Sequence, residues 1–309
     1  MHGDPGAVDN IVVGVADLDV AISLWVETFG LTILRRQDTA DADLARIWGL
    51  QADAIPRQAL VGMPDAVHGR LHLVEFAHPN APVRETALAT DCCPKSLDVH
   101  TEDLPDRMRL LQAQGHQFRS PVHHEVSSPG GLRFREAHMP AHDALNVVLL
   151  EVLGQPVSVS PQGFAAIGLL ITIVPDAELE KTFYASVLGL EKLMQNILEG
   201  PEVEAMIGLP PGAALDASIW GNPGDALGQV EIIEYRGVRG ANLYPRAQPP
   251  ATGILQIAFK TANLSGLRRR LHDSGTVRVE HGTVETLAMR GDTLSFTTPA
   301  GLKVTATAA

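Results

Sequence analysis

VDNIVVGVADLDVAISLWVETFGL, residues 8–31, sets the grammar of the chain. An apolar run from Asn10 to Val15 leads to Asp17. A stretch of helical spacing follows, with Leu18, Ala21, Trp25 and Thr28 on one face, and it stops at Gly30. Asp17 suits an N-cap, because its carboxylate can accept from the free N–H groups of a first turn. Gly30 suits the left-handed stop. The same order returns in LLITIVPDAELEKTFYASVLGL, residues 169–190, with Asp176 as cap and Gly189 as stop. Asp176 lies 159 positions after Asp17, and Gly189 lies the same 159 after Gly30. Two punctuation marks that move in step indicate a duplicated unit.

Two further copies share this grammar. SLDVHT, from Ser96, leads to Asp103, a helix over Pro105 to Gln114 and Gly115. GILQIAFKTANL, from Gly253, leads to a helix capped by Asn263 and stopped by Gly275, each 160 positions after Asp103 and Gly115. Strand-like runs follow each helix: Leu31–Arg36, Gln58–Gly62 and Arg70–Ala77 in the first copy, and His116–Ser120, Leu132–Ala137 and Asn146–Leu153 in the second. The third copy closes on QVEIIEYR and the fourth on Leu302–Thr307. GQPVSVSPQG, residues 154–163, has linker composition. The pattern predicts an α+β fold of four tandem βαβββ modules, two in a domain over residues 1–155 and two in a domain over 164–309.

The chain has 309 residues, 45% hydrophobic and 19% charged, with a net charge of −12. That length suits roughly two domains. Such an acidic balance argues against nucleic acid and anionic membranes as partners, since both are recognised by clustered Lys and Arg. No apolar run approaches the roughly 18 residues of a membrane span. MHGDPGAVD at the N-terminus does not read as a secretory leader. Cys92 and Cys93 are adjacent, which suits two reduced thiols better than a disulfide framework or a zinc site. A cytoplasmic location is expected.

The residues IVVGVADLDVAISLWVETFGL, LHLVEF, LDVHTEDLPDRMRLLQAQGH and VVLLEVLG, with ITIVPDAELEKTFYASVLGLEKL, VEIIEY and IAFKTANLSGLRRRL in the second half, resemble the vicinal oxygen chelate superfamily. That group includes glyoxalase I, extradiol dioxygenases, bleomycin-resistance proteins and methylmalonyl-CoA epimerase. The resemblance implies that modules pair to curl their mixed sheets into cups around a small molecule. It also implies metal ligands on the first and last strand of each module. Those positions fall on Asn10 and Glu75, Ser96 and Glu151, Leu169 and Glu234, and Gln256 and Thr305. Modules one and two would share a cup, or, in the swapped arrangement, one with four and two with three. No first-strand position carries a His, and no pairing collects three strong ligands for a transition metal. No cofactor is assigned. A weakly bound divalent ion on Glu75 and Glu151 is the most that these carboxylates would hold. The family leaves a homodimer open.

Read by alternation, Leu73 shares a strand face with Glu75, and Val147 and Leu149 share one with Glu151. A carboxylate on an apolar face needs a partner or a raised pKa. Glu75 and Glu151 are therefore candidate bases, and Glu234 a candidate binding residue. Ser96, Asp98 and His100 share a face of SLDVHT, where Asp98 could orient His100 as a catalytic helper. Arg135 could clamp a substrate carboxylate or neutralise a buried Glu. Asn10 and Gln256 complete the binding candidates. His123, His124 and Glu125 read as loop residues, and His138 and His142 as part of a loop.

The expected function is an enzyme acting on a small, largely apolar, oxygenated molecule by carboxylate-assisted proton transfer, isomerase-like or lyase-like. Two alternatives stand beside it. One is a binding protein that only sequesters its ligand, and the other a metal-dependent extradiol dioxygenase.

Overall fold

The computed structural model describes residues 6–128, 131–276 and 279–309. Residues 1–5, part of the stretch read for a leader, lie outside them. Four modules follow one another. The first holds β1 (Asn10–Val15), α1 (Leu18–Ile22, continued by a π-helical turn over Ser23–Thr28), β2 (Thr32–Gln37), α2 (Ala42–Ile47), β3 (Arg57–Gly62) and β4 (Arg70–Glu75). The second holds β5 (Pro94–Thr101), α3 (Leu104–Ala113), β6 (His124–Ser127), β7 (Arg133–Pro140) and β8 (Asn146–Val152). The third holds β9 (Phe164–Ile173), α4 (Ala177–Ser186), β10 (Glu191–Glu199), α5 (Pro201–Ile207), β11 (Ala214–Gly221) and β12 (Gln229–Arg236). The fourth holds β13 (Gly253–Thr261), α6 (Leu264–Asp273), β14 (Glu280–Glu285), β15 (Arg290–Thr297) and β16 (Lys303–Ala308).

The punctuation acts as the sequence implies. Asp17 accepts from the N–H of Asp19 at 2.9 Å, Asp176 from Leu179 at 2.9 Å and Asn263 from Gly266 at 2.8 Å. Gly30, Gly115, Gly189 and Gly275 all carry positive φ, the conformation that terminates a helix at little cost for glycine. The second module differs from the expected pattern. No strand forms over 116–120, and its place is taken by His124–Ser127. His124 and Glu125 are therefore strand residues. His124 Nδ1 lies 2.7 Å from Glu202 on α5.

Within each module the helical crossover makes the first and last strands parallel neighbours: β1 with β4, β5 with β8, β9 with β12 and β13 with β16. Modules then join across antiparallel seams, β1 against β13 and β5 against β9. The two eight-stranded sheets run β14-β15-β16-β13-β1-β4-β3-β2 and β10-β11-β12-β9-β5-β8-β7-β6. Module one thus shares a sheet with module four, and module two with module three. Each sheet draws one module from residues 1–155 and one from 164–309.

The crossover helices α1, α3, α4 and α6 pack on one face of each sheet and meet in a common core, while α2 and α5 pack on the opposite faces. Trp25 and Phe29, from the first helix, pack edge to face at 5.5 Å, and Phe29 stacks on Phe164 of β9 at 4.6 Å. Trp25 and Tyr184 are fully buried core residues. The opposite faces of the sheets form two separate hollows.

Candidate active site

Strand alternation decides which side chains reach each hollow. On β4, Leu71 and Leu73 belong to the helix-packed core, and Val74 to the hollow side. Glu75 follows Leu71 and Leu73 and therefore lies on the helix side. Its Oε2 accepts from the N–H of Leu18 at 2.7 Å, and Arg57 holds both of its oxygens, at 3.1 and 2.5 Å. Glu151 repeats the arrangement. It accepts from Leu104 N–H at 3.1 Å and from Arg135 at 3.2 Å. Glu234 accepts from Ala177 N–H at 2.9 Å. All three carboxylates bind the open first turn of their own module's helix, where free N–H groups and the helix dipole favour negative charge.

This corrects the expectation that Glu75, Glu151 and Glu234 point into cups as base, metal or substrate ligands. Sequence alternation placed Glu75 and Glu151 with the right neighbours, but the face they share is the helix-packed one. Arg135 is accounted for by Glu151 and by Glu125 at 3.3 Å, so it is not a substrate clamp.

The first cup, between modules one and four, is largely filled by its own chain. Leu44, Ala45 and Ile55 pack against Val12, Val74, Leu255 and Met289. His72 Nε2 lies 2.6 Å from Gln58, and Gln58 donates to Asp41 at 2.6 Å. Asp41 in turn caps α2 through Leu44 N–H at 2.9 Å. Burial pushes the His72 imidazole down to about 4, so it stays neutral. Asn10 donates to Asp9 at 2.8 Å. Gln256 borders the remaining space of about 450 Å³, whose walls include Arg46, Trp48 and Lys303. Asn10 and Gln256 thus sit on adjacent strands, apart from the other candidates.

The second cup, between modules two and three, is open and mainly apolar. Its hollow of about 520 Å³ is walled by residues such as Phe134, Leu150, Leu169, Met194, Leu198 and Ile219, with His100 and Glu231 among them. Gln155, Pro156 and Val157 of the 154–163 linker close one side. Ser96, Asp98 and His100 alternate with the core residues Leu97 and Val99, so all three face this cup. On β7, Glu136 and His138 alternate with the core residues Ala137 and Met139. On β12, Glu231 lies between the core residues Val230 and Ile232.

The electrostatics are those of an enclosed polar floor under an apolar chamber. Burial, and next the Glu136 carboxylate, push Glu231 up to about 8, with Lys95 acting in the opposite direction. Asp98 is buried, and burial followed by Glu136 and Glu231 drives it well above the usual carboxylate range. One of its oxygens has no partner. Burial lowers the His100 imidazole, whose Nδ1 is likewise unpartnered. Lys95 donates to the Tyr235 hydroxyl at 2.6 Å and to the Ala89 carbonyl at 3.1 Å, and burial brings it down to about 7. His138 pairs with Glu136 at 2.6 Å and with Asn146 at 3.1 Å.

Of the sequence candidates, the second cup gathers Ser96, Asp98 and His100. Glu231, Glu136, His138 and Lys95 were not anticipated there. A signal for Glu231 existed. It stands three residues before Glu234, as His72 stands three before Glu75, and an odd separation on a strand changes face.

A metal fits poorly. Among the described residues no group of three His, Cys, Asp or Glu side chains is gathered for an ion. In this cup the positions implied for ligands hold Ser96 and Leu169, and the other two, Glu151 and Glu234, are turned to helices.

No protein-family profile and no curated protein matches the sequence. Solved structures do. Glyoxalase I from Zea mays aligns over 98% of this chain and 92% of its own, with a TM-score of 0.68 and 16% identity. A Bacillus subtilis protein described as a candidate dioxygenase aligns over 99% of this chain and 86% of its own, with a TM-score of 0.61 and 11% identity. At these identities the likeness is one of fold. Four βαβββ modules curled into two cups, matched end to end by these structures, give this chain the vicinal oxygen chelate fold.

Proposed function

We propose that the second cup binds a small, largely apolar, oxygenated molecule and moves a proton next to its carbonyl group, an isomerase-like or lyase-like step. One observation carries this reading. A carboxyl that burial raises to about 8, Glu231, and an imidazole that burial lowers, His100, border the same apolar hollow. A base works best when its pKa lies near the working pH. Burial among apolar side chains supplies that tuning for Glu231.

In this reading the ionised Glu231 takes a proton from the carbon beside the carbonyl. His100 donates a hydrogen bond to the oxygen as negative charge develops there. The proton then returns to a neighbouring carbon, or a leaving group departs. Glu136 stands behind, and its negative field adds to burial in raising the proton affinity of Glu231.

The test uses the full chain in D2O with a panel of apolar ketones and 1,2-diketones, followed by proton NMR. Exchange of the α-hydrogen is expected on at least one compound. It should be lost in Glu231→Gln, reduced in His100→Ala and retained in Glu75→Gln. Exchange at the wild-type rate in Glu231→Gln would overturn the assignment.

The predominance of aliphatic and aromatic wall residues also suits a sequestering protein. That reading predicts tight binding of an apolar ligand, recovery of the ligand unchanged and no exchange by any variant.

A further inference from the structure

The second cup is electrostatically incomplete. Three carboxyl groups, Asp98, Glu136 and Glu231, act on one another across its floor. Glu136 has His138 as its partner at 2.6 Å. Lys95 is the cation that acts on both Asp98 and Glu231, and its ammonium is committed to Tyr235 and to the Ala89 carbonyl. Arg84 donates to Cys93 at 2.8 Å. Asp98 keeps a buried oxygen with no partner. Among the described residues that wall the hollow there is no Lys and no Arg.

An anion placed here would be desolvated beside Glu231 with no Lys or Arg on the described wall to pair it, an arrangement that proteins avoid. A cation would complete the floor. The apolar walls would take a hydrocarbon body, and the body must be compact to enter about 520 Å³. We infer that the ligand of the second cup is an apolar amine, whose ammonium group pairs with Glu231 while its hydrocarbon part lies among Phe134, Leu150, Leu169, Met194, Leu198 and Ile219. The inference rests on the reading of this cup as a ligand site, and not on any particular chemistry performed there.

Three probes with one body separate the possibilities: 4-phenylbutylamine, 4-phenylbutan-1-ol and 4-phenylbutyrate. Binding to the full chain is measured by calorimetry and by displacement of an environment-sensitive dye. The amine should bind about tenfold or more tighter than the alcohol, the span expected for one charge-assisted hydrogen bond. The carboxylate should bind weakest. Glu231→Gln should erase the preference for the amine over the alcohol. Met194→Trp, which fills the hollow, should abolish binding of all three.

Equal or tighter binding of the carboxylate would overturn the charge assignment and leave the cup as a site. So would an amine preference that survives in both Glu231→Gln and Asp98→Asn. Failure of all three probes to displace the dye would overturn this inference, whereas the proposed function stands or falls on the α-hydrogen exchange of the ketone panel.

Discussion

Gly168 on β9 lies face to face with His100 on β5. A Cβ built on Gly168 would sit 2.5 Å from the imidazole Nε2 and nearer still to Cδ2. A real Cβ cannot approach that closely, so the imidazole occupies space that only glycine leaves free. The seam between modules two and three is therefore shaped to hold His100 against the hollow. Gly168→Ala should displace the ring while keeping the fold. The expected result is a melting temperature within a few degrees of wild type, with α-hydrogen exchange or probe affinity reduced to the level of His100→Ala. Thermal unfolding and the NMR assay on the same preparation would show it. Full activity in Gly168→Ala would mean that His100 has no part in the chemistry.

The three helix-capping carboxylates should behave as stability residues. Each replaces water on a free N–H at a helix start and adds a favourable charge–dipole term, together about 0.5–2 kcal/mol. Glu75→Ala, Glu151→Ala and Glu234→Ala should each lower the free energy of unfolding by about 1–2 kcal/mol in urea titrations. None should change probe affinity in the second cup by more than about twofold, because Glu151 and Glu234 lie on the helix-packed face of its sheet and Glu75 belongs to the other sheet. A variant that keeps its stability but loses binding would return that glutamate to the site.

Much of this fold can be read from Asp17, Gly30 and their copies, because caps and stops are local devices that need no tertiary information. The pairing of modules cannot be read that way. β1 and β9 are apolar on both faces almost throughout, so hydrophobic pattern does not say which first strands meet. The same ambiguity hid the site. Alternation put Glu75 with Leu73, but Val12 and Val74 are as apolar as Ile11 and Val13, and no rule based on polarity tells the hollow face from the packed one. The cup-facing set Asp98 and His100 was legible because SLDVHT carries polar side chains on one face only. Lys95 was not, because the pairing of β5 with β9 shifts register between Pro94 and Ser96 and breaks simple alternation there.

His142 ties the two sheets together. Its Nε2 accepts from the Trp25 indole N–H at 3.0 Å, and its Nδ1 lies 2.7 Å from Asp143. Asp143 in turn accepts from Ala16 N–H at 3.1 Å. His142→Ala would leave the indole N–H of a fully buried Trp without a partner, at a cost of about 1–3 kcal/mol, beyond the loss of packing. His142→Gln, which can offer a carbonyl oxygen in the same region, should recover part of the loss. Equilibrium unfolding of both variants decides it. Equal stability of the two would show that packing alone matters at this position.

Glu180 on α4 should give the protein a stability that falls as pH rises. Its side chain is 1% exposed, Oε2 accepts from Ala300 N–H at 2.8 Å and Oε1 has no partner. Burial raises it from 4.5 to about 7, and the nearby Thr298 side chain and the Ala300 N–H offset this only in part. In the unfolded chain the carboxyl ionises near its ordinary value. Between about pH 4.5 and 7 the folded state therefore binds more protons than the unfolded one, and stability declines as protons are removed. The contribution is fully present below pH 4.5 and lost by pH 7, at most about 3 kcal/mol. Glu231 adds a slope of the same sign that extends to about pH 8. Glu180→Gln keeps an acceptor for Ala300 and removes the charge. It should be more stable than wild type at pH 8, nearly equal at pH 4.5, and should show a flatter profile between. Urea unfolding at intervals of one pH unit measures this directly, and a variant whose profile runs parallel to wild type would show that Glu180 ionises alike in the folded and the unfolded protein.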